Sequence, residues 1–200
     1  MTGAIADGWL DGARRCWSPN QDARPAGLSI DLLVIHNISL PPGEFGGVWI
    51  EDFFCNRLDR AAHPYFAEIG HLRVSSHLLI DRAGGLRQFV PFHRRAWHAG
   101  ASRFQARERC NDFSIGIELE GTDAQAFTAA QYRTLTATTQ QLMQHYPGIV
   151  PGHIVGHSDI APGRKTDPGP CFDWQRLRQG LAGMDRHPAG NRADAPGPRT

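Results

Sequence analysis

The chain has 200 residues, with 21 Lys+Arg against 20 Asp+Glu, 22 Gly, 14 Pro and 40% hydrophobic residues. That length supports one domain whose core needs no disulfide staples, and the balanced charge excludes a binder that works by electrostatic attraction to nucleic acid. Ten histidines are an excess that points first to metal or acid–base chemistry.

The N-terminal MTGAIADGWLDGARRCW has neither the basic region nor the apolar run of a signal peptide. No stretch approaches the ~20 apolar residues of a membrane span. A cytoplasmic protein is expected, with no membrane or nucleic-acid partner. Cys16, Cys55, Cys110 and Cys171 are far apart with no CxxC pair, and four reduced thiols are expected.

Residues 1–30 are polar, carry Pro19 and Pro25, and read as an irregular arm. Residues 31–38 (DLLVIHNI) form a short apolar run before Pro41 and Pro42 and predict a buried strand ending in a loop. Residues 47–57 predict a short helix, and His63 to Arg73 reads as a loop. Residues 76–81 (SHLLID) and 86–90 (LRQFV), separated by RAGG, predict a β-hairpin. Residues 114–120 (SIGIELE) alternate and predict another strand. Thr128 and Gln131 have capping-box spacing, and Tyr132, Leu135, Leu142, Met143 and Tyr146 follow at helical intervals until Pro147 and Gly148. Ile154 to Gly156 predicts a brief strand, and Asp173 a cap for a last helix over 174–181. From Gly183 onward almost nothing is apolar, so residues 183–200 are expected to be a disordered tail. The sum is an α/β or α+β single domain.

Two histidines stand apart. His36 and His157 each end a short apolar run, LLVIH and IVGH, where a residue is held rigidly at the edge of a sheet as a metal ligand must be. A catalytic zinc site takes three protein ligands and keeps a fourth position for water. Asp159, Asp167, Cys171 and Glu118 all qualify as the third ligand, and spacing does not choose among them. His77 and His98 lie within or beside strand patterns, and structural and active-site roles stand equally for them. Glu118 and Glu120 share one face of their strand. They read either as a solvated face or as the location of a general base. The loop 157–170 (HSDIAPGRKTDPGP), with three prolines and two glycines, is held in one shape. Its Lys165 is a candidate oxyanion stabiliser or a surface lysine.

The strings GWLDGARR, LLVIHNISLPPGEFGG, HPYFAEIGHLRVSSHLLIDR, AWHAGASRFQARERCNDFSIGIELEG and GHSDIAPGRKTDPGPCFDW resemble the type-2 N-acetylmuramoyl-L-alanine amidases, the peptidoglycan-recognition-like family. They span residues 8 to about 174. The resemblance implies a mixed central β-sheet flanked by helices over residues 1–182. It implies one zinc ion per chain on His36, His157 and Asp167. Some relatives use a cysteine as third ligand, but the string KTDPGP favours Asp167 over Cys171. It further implies Glu118 as catalytic carboxylate and Lys165 as oxyanion stabiliser, with Asn37, Arg73, Trp97 and Arg109 on the substrate wall. The expected reaction is zinc-dependent hydrolysis of the amide between the lactyl group of (1,6-anhydro-)N-acetylmuramic acid and L-alanine. Its substrate would be a small soluble muropeptide of peptidoglycan recycling, and the enzyme a monomer. The alternatives are a periplasmic amidase that cuts intact wall and a non-catalytic peptidoglycan-binding module.

Overall fold

Seven consecutive buried residues from Ser114 to Glu120 make the strand around which the molecule is built. The computed structural model describes residues 4–182, so the expected tail at 183–200 lies outside the described residues. Six strands form the central sheet: β1 (Arg14–Arg15), β2 (Leu32–Ile38), β3 (Leu78–Ile80), β4 (Leu86–Gln88), β5 (Ser114–Glu120) and β6 (Ile154–Gly156). Their order across the sheet is β6-β2-β5-β3-β4-β1. The pairs β6–β2, β2–β5, β5–β3 and β4–β1 are parallel, and the β3–β4 hairpin is antiparallel. The mixed sheet of a single α/β domain is therefore as expected.

Both faces of this sheet are covered. Leu33, Ile35, Ile115, Ile117 and Leu119 project to one side, against Tyr132, Leu135 and Leu142 of helix α3 (Ala129–His145) and Leu177 and Leu181 of helix α5 (Trp174–Ala182). On the other side Leu79 and Phe89 meet Phe53 and Phe54 of helix α1 (Trp49–Phe54) and Phe66 of helix α2 (Pro64–Ile69). The capping box forms as the sequence predicts: Thr128 Oγ1 accepts from Gln131 N, and Gln131 Oε1 accepts from Thr128 N. Asp173 Oδ1 accepts from Arg176 N at the start of α5.

Three expectations change. The solvated-face reading of Glu118 and Glu120 fails, because β5 lies inside a parallel stretch covered on both sides, where alternation of residue type no longer reports exposure. Residues 63–73 contain α2 rather than only loop. Pro64 occupies the first helical turn, where its missing N–H costs nothing, and His63 Nδ1 accepts from Tyr65 N as the cap. The N-terminal arm is built into the body: it supplies the edge strand β1, pairs Gln21–Ala23 with Arg94–Ala96, and buries Leu10, Ser18 and Asn20.

Candidate metal centre

Strands β2, β5 and β6 run parallel, so their carboxyl ends share one edge, the usual place for a site in such sheets. His36 lies near the end of β2, and His157 follows β6 directly as the first residue of a one-turn helix, α4 (His157–Ile160). Register places Glu118 of β5 opposite His36, about 4.8 Å away across the ladder on the same face. The chain after α4 doubles back, and Ser158 N donates to Asp167 O at 2.9 Å, which returns Asp167 to the two histidines.

Three donor atoms converge. His36 Nδ1 is 3.0 Å from His157 Nδ1 and 3.0 Å from Asp167 Oδ2, and His157 Nδ1 is 3.1 Å from the same oxygen. Ligands about 2.0 Å from one tetrahedral ion stand about 3.3 Å apart, so the triangle fits one face of such a site. Both histidines are buried, at 1% and 3% exposure. His157 Nε2 donates to Ala99 O at 3.1 Å, which leaves its Nδ1 as a bare lone pair aimed at the others.

Protonation states favour the same use. Burial pushes the His36 imidazole down to about 4, although Asp167 beside it works in the opposite direction. Burial alone would raise the Asp167 carboxyl, but the His157 and His36 imidazoles against it outweigh burial and hold Asp167 below the ordinary carboxylate range. A neutral His36 and an ionised Asp167 are the forms that bind a metal. Of the other third-ligand candidates, Asp159 is occupied as a cap, its Oδ2 accepting from Gly156 N at 2.7 Å. Cys171 is a free thiol outside the converging group.

The triangle opens into a cleft of about 380 Å³. Glu118 lines it at 8% exposure, and its buried Oε2 has no hydrogen-bond partner among the described residues. Burial holds the Glu118 carboxyl well above its usual range; Asp167 adds to the shift and Lys165 opposes it. Lys165 is exposed at the rim, and the remaining walls include Trp97, Phe53, Phe54, Leu40 and Val74. Asn37 touches the cleft from the end of β2, with its Nδ2 donating to Asp123 Oδ1 at 2.6 Å. Arg73 is exposed, sits between the lining residues Leu72 and Val74, and donates to the carbonyls of His71 and Leu72. Arg109 is not in this cleft. It lies in a separate depression with Ser102, Glu108 and Arg164, and its Nε bonds Asp112 Oδ2 at 3.2 Å. Sequence reading missed Tyr65, which lines the cleft from α2; the His63-Pro64 cap signal would have revealed its helix.

His77 has a structural role. It is fully buried, its Nδ1 accepts from Gly116 N, and its Nε2 donates to Arg94 O. Burial and the Arg24 charge keep it neutral, well below the ordinary imidazole range. Its folded pKa is thus below its unfolded value of about 6.5, so the unfolded chain takes up a proton that the fold refuses. Metal-free protein should lose stability as pH falls from about 7 to 5. Urea midpoints measured in chelator across that range check this, and a flat or rising series would contradict it.

Glu120, the neighbour of Glu118 on the same strand face, is an anchor. Its Oε1 accepts from Gly46 N and its Oε2 from Arg82 N at 3.1 Å, tying two loops to the sheet.

The sequence profile of the family described as N-acetylmuramoyl-L-alanine amidase matches residues 26–170. The chain is 62% identical over 174 residues to the 1,6-anhydro-N-acetylmuramyl-L-alanine amidase AmpD of Escherichia coli, covering 87% of this chain and 94% of that protein. The fold is similar to a crystal structure of selenomethionine AmpD, with a TM-score of 0.87 and 59% identity, over 89% of this chain and 99% of that one. It is also similar to Escherichia coli AmiD in complex with anhydro-N-acetylmuramic acid-L-Ala-D-gamma-Glu-L-Lys. There the TM-score is 0.58 and the identity 32%, over 78% of this chain and 60% of that one. No described helix is long and apolar enough to cross a membrane.

Proposed function

The chain belongs to the N-acetylmuramoyl-L-alanine amidase family, and from that premise we propose that it is a zinc-dependent cytoplasmic amidase of peptidoglycan recycling. It cuts the amide between the lactyl group of 1,6-anhydro-N-acetylmuramic acid and L-alanine in small muropeptides. The observation that carries this reading is the triangle of His36, His157 and Asp167 at the base of a cleft that also holds an unpartnered Glu118 oxygen. Two imidazoles and one carboxylate with a cleft for a fourth ligand are the donor set of a catalytic rather than structural zinc site. The ion would supply Lewis acidity there, lowering the pKa of water and polarising the amide carbonyl.

The protein residues divide the remaining work. Water adds to the carbonyl carbon, the C–N bond breaks, and the alanine nitrogen leaves as an amine. Glu118 accepts the water proton at its carboxylate and delivers a proton to the leaving nitrogen. Burial raises its pKa, which makes the carboxylate a stronger base toward the water proton than an exposed glutamate would be. Lys165 at the rim meets the negative charge that develops on the carbonyl oxygen. Trp97 offers an apolar face to the sugar, and Asn37 a polar group at the cleft edge. Arg73 beside the cleft, and Arg109 in a depression of its own, would suit the carboxylates of the stem peptide, which the guanidinium fork pairs bidentately.

The test is digestion of a soluble anhydro-muropeptide and of intact sacculi, each read by mass spectrometry. Release of free stem peptide from the muropeptide with little action on sacculi is expected. Preferential release from sacculi would favour a wall-lytic enzyme, and binding without cleavage of either would favour a recognition module.

A further inference from the structure

Two adjacent residues, His98 and Ala99, meet the outward-facing nitrogens of both histidine ligands. Ala99 O accepts from His157 Nε2 at 3.1 Å, and His36 Nε2 lies 2.9 Å from His98 Nδ1. His98 Nε2 in turn lies 3.1 Å from Ser114 Oγ. For His36 to offer a bare Nδ1 to an ion, its proton must sit on Nε2. His98 Nδ1 must then be the acceptor, and His98 Nε2–H donates to Ser114. Each bond in the chain fixes the next tautomer.

The surroundings hold this dipeptide in place. Asn111 Oδ1 accepts from both His98 N, at 3.1 Å, and Ala99 N, at 2.8 Å. Arg164 Nη2 donates to Ala99 O at 2.7 Å, so that carbonyl is fixed from a second side. The His98 ring lies flat against β5 at Gly116, where a Cβ would come within 2.6 Å of its Cγ. Only glycine leaves room for the imidazole there. The His36 and His98 rings meet edge to face, with centroids 5.0 Å apart.

We propose that His98 is a positioning residue for the metal centre, fixing the tautomer and orientation of His36, with Asn111 holding His98 and Ala99 in register to orient both imidazole ligands. This rests on the reading of His36, His157 and Asp167 as a zinc site. Groups that orient a ligand histidine in this way change metal affinity by about 10–100-fold when removed.

The experiment uses chelator-stripped full-length protein and measures the zinc dissociation constant by competition with a chromophoric chelator. His98→Leu should weaken zinc binding by about 10–100-fold, while His98→Asn, whose Oδ1 sits near the place of Nδ1 and can accept, should stay within about three-fold of wild type. Long-range proton–nitrogen NMR of the zinc-loaded wild type should find His98 protonated on Nε2 and bare on Nδ1. That readout needs no variant to fold. Zinc affinity unchanged in His98→Leu, equal losses in both variants, or a His98 proton on Nδ1 would each overturn the proposal. Wild-type protein that binds no zinc would instead remove the metal-site reading, and this inference with it.

Discussion

Replacing His157 with Ala is expected to reduce retained zinc from about one ion per chain to a trace and to bring amide hydrolysis down to background. The three donor atoms stand 3.0–3.1 Å apart, so no other side chain is needed to complete the triangle. Among the described residues no other group of three such side chains converges to hold the ion elsewhere. Removing His157 also strands its partners. The Ala99 carbonyl loses an imidazole N–H, and the His36 and Asp167 donors face a small buried gap. Two ligands at the base of an open cleft compete poorly with water for a divalent ion. Metal analysis of protein purified without added zinc, with turnover on the same preparation, checks this. His36→Ala should behave alike. Full zinc in either variant would place the ion elsewhere.

Much of this site can be read from the chain, because its key ligands sit where local patterns are strongest. LLVIH and IVGH announce strands by apolar content alone, and the residue closing each run has to emerge at the sheet edge. The hairpin and the capping box are equally local, since each is a contact between residues a few positions apart. The third ligand is different. Asp159, Asp167 and Cys171 lie in the same stretch after His157, and no local pattern chooses among them: the family resemblance of KTDPGP points to Asp167, and the Ser158–Asp167 bond is what returns it to the histidines. Burial of Glu118 was hidden for another reason. The alternation in SIGIELE is that of a half-exposed strand, and it misleads because both acids face protein: Glu120 the loop amides, Glu118 the cleft. Tyr65 was lost with its helix, whose two-residue signal of cap and proline is weaker than any periodicity. His98 could not be assigned because its role depends on Ser114, Gly116 and Asn111, which no local pattern links to it.

Glu118→Gln should leave zinc bound and lower turnover by about 10²–10⁴-fold, the range for losing general acid–base assistance. The amide keeps the shape of the carboxyl but has no basic oxygen to take a proton. None of the three converging donors belongs to Glu118, so metal content should not change. Substrate affinity should change little, because the lost interaction strengthens only as the proton moves. Stability should hold or rise. In the wild type the fold carries a buried carboxyl whose ionised form is disfavoured by burial and by Asp167, and the neutral amide removes that cost. Glu120→Gln should give the opposite pattern. Its two oxygens both accept from backbone N–H groups, and an amide turns one acceptor into a donor facing Gly46 N or Arg82 N. That change should lower the urea-unfolding free energy by about 1–3 kcal/mol, the cost of an unsatisfied buried donor, while turnover falls far less than in Glu118→Gln. Measuring zinc content, kcat, KM and unfolding free energy for both variants separates the two acids. Near-normal kcat in Glu118→Gln would end its assignment as the base. Loss of zinc from Glu118→Gln would make it a support of the metal, and the proton acceptor would have to be another group in the cleft.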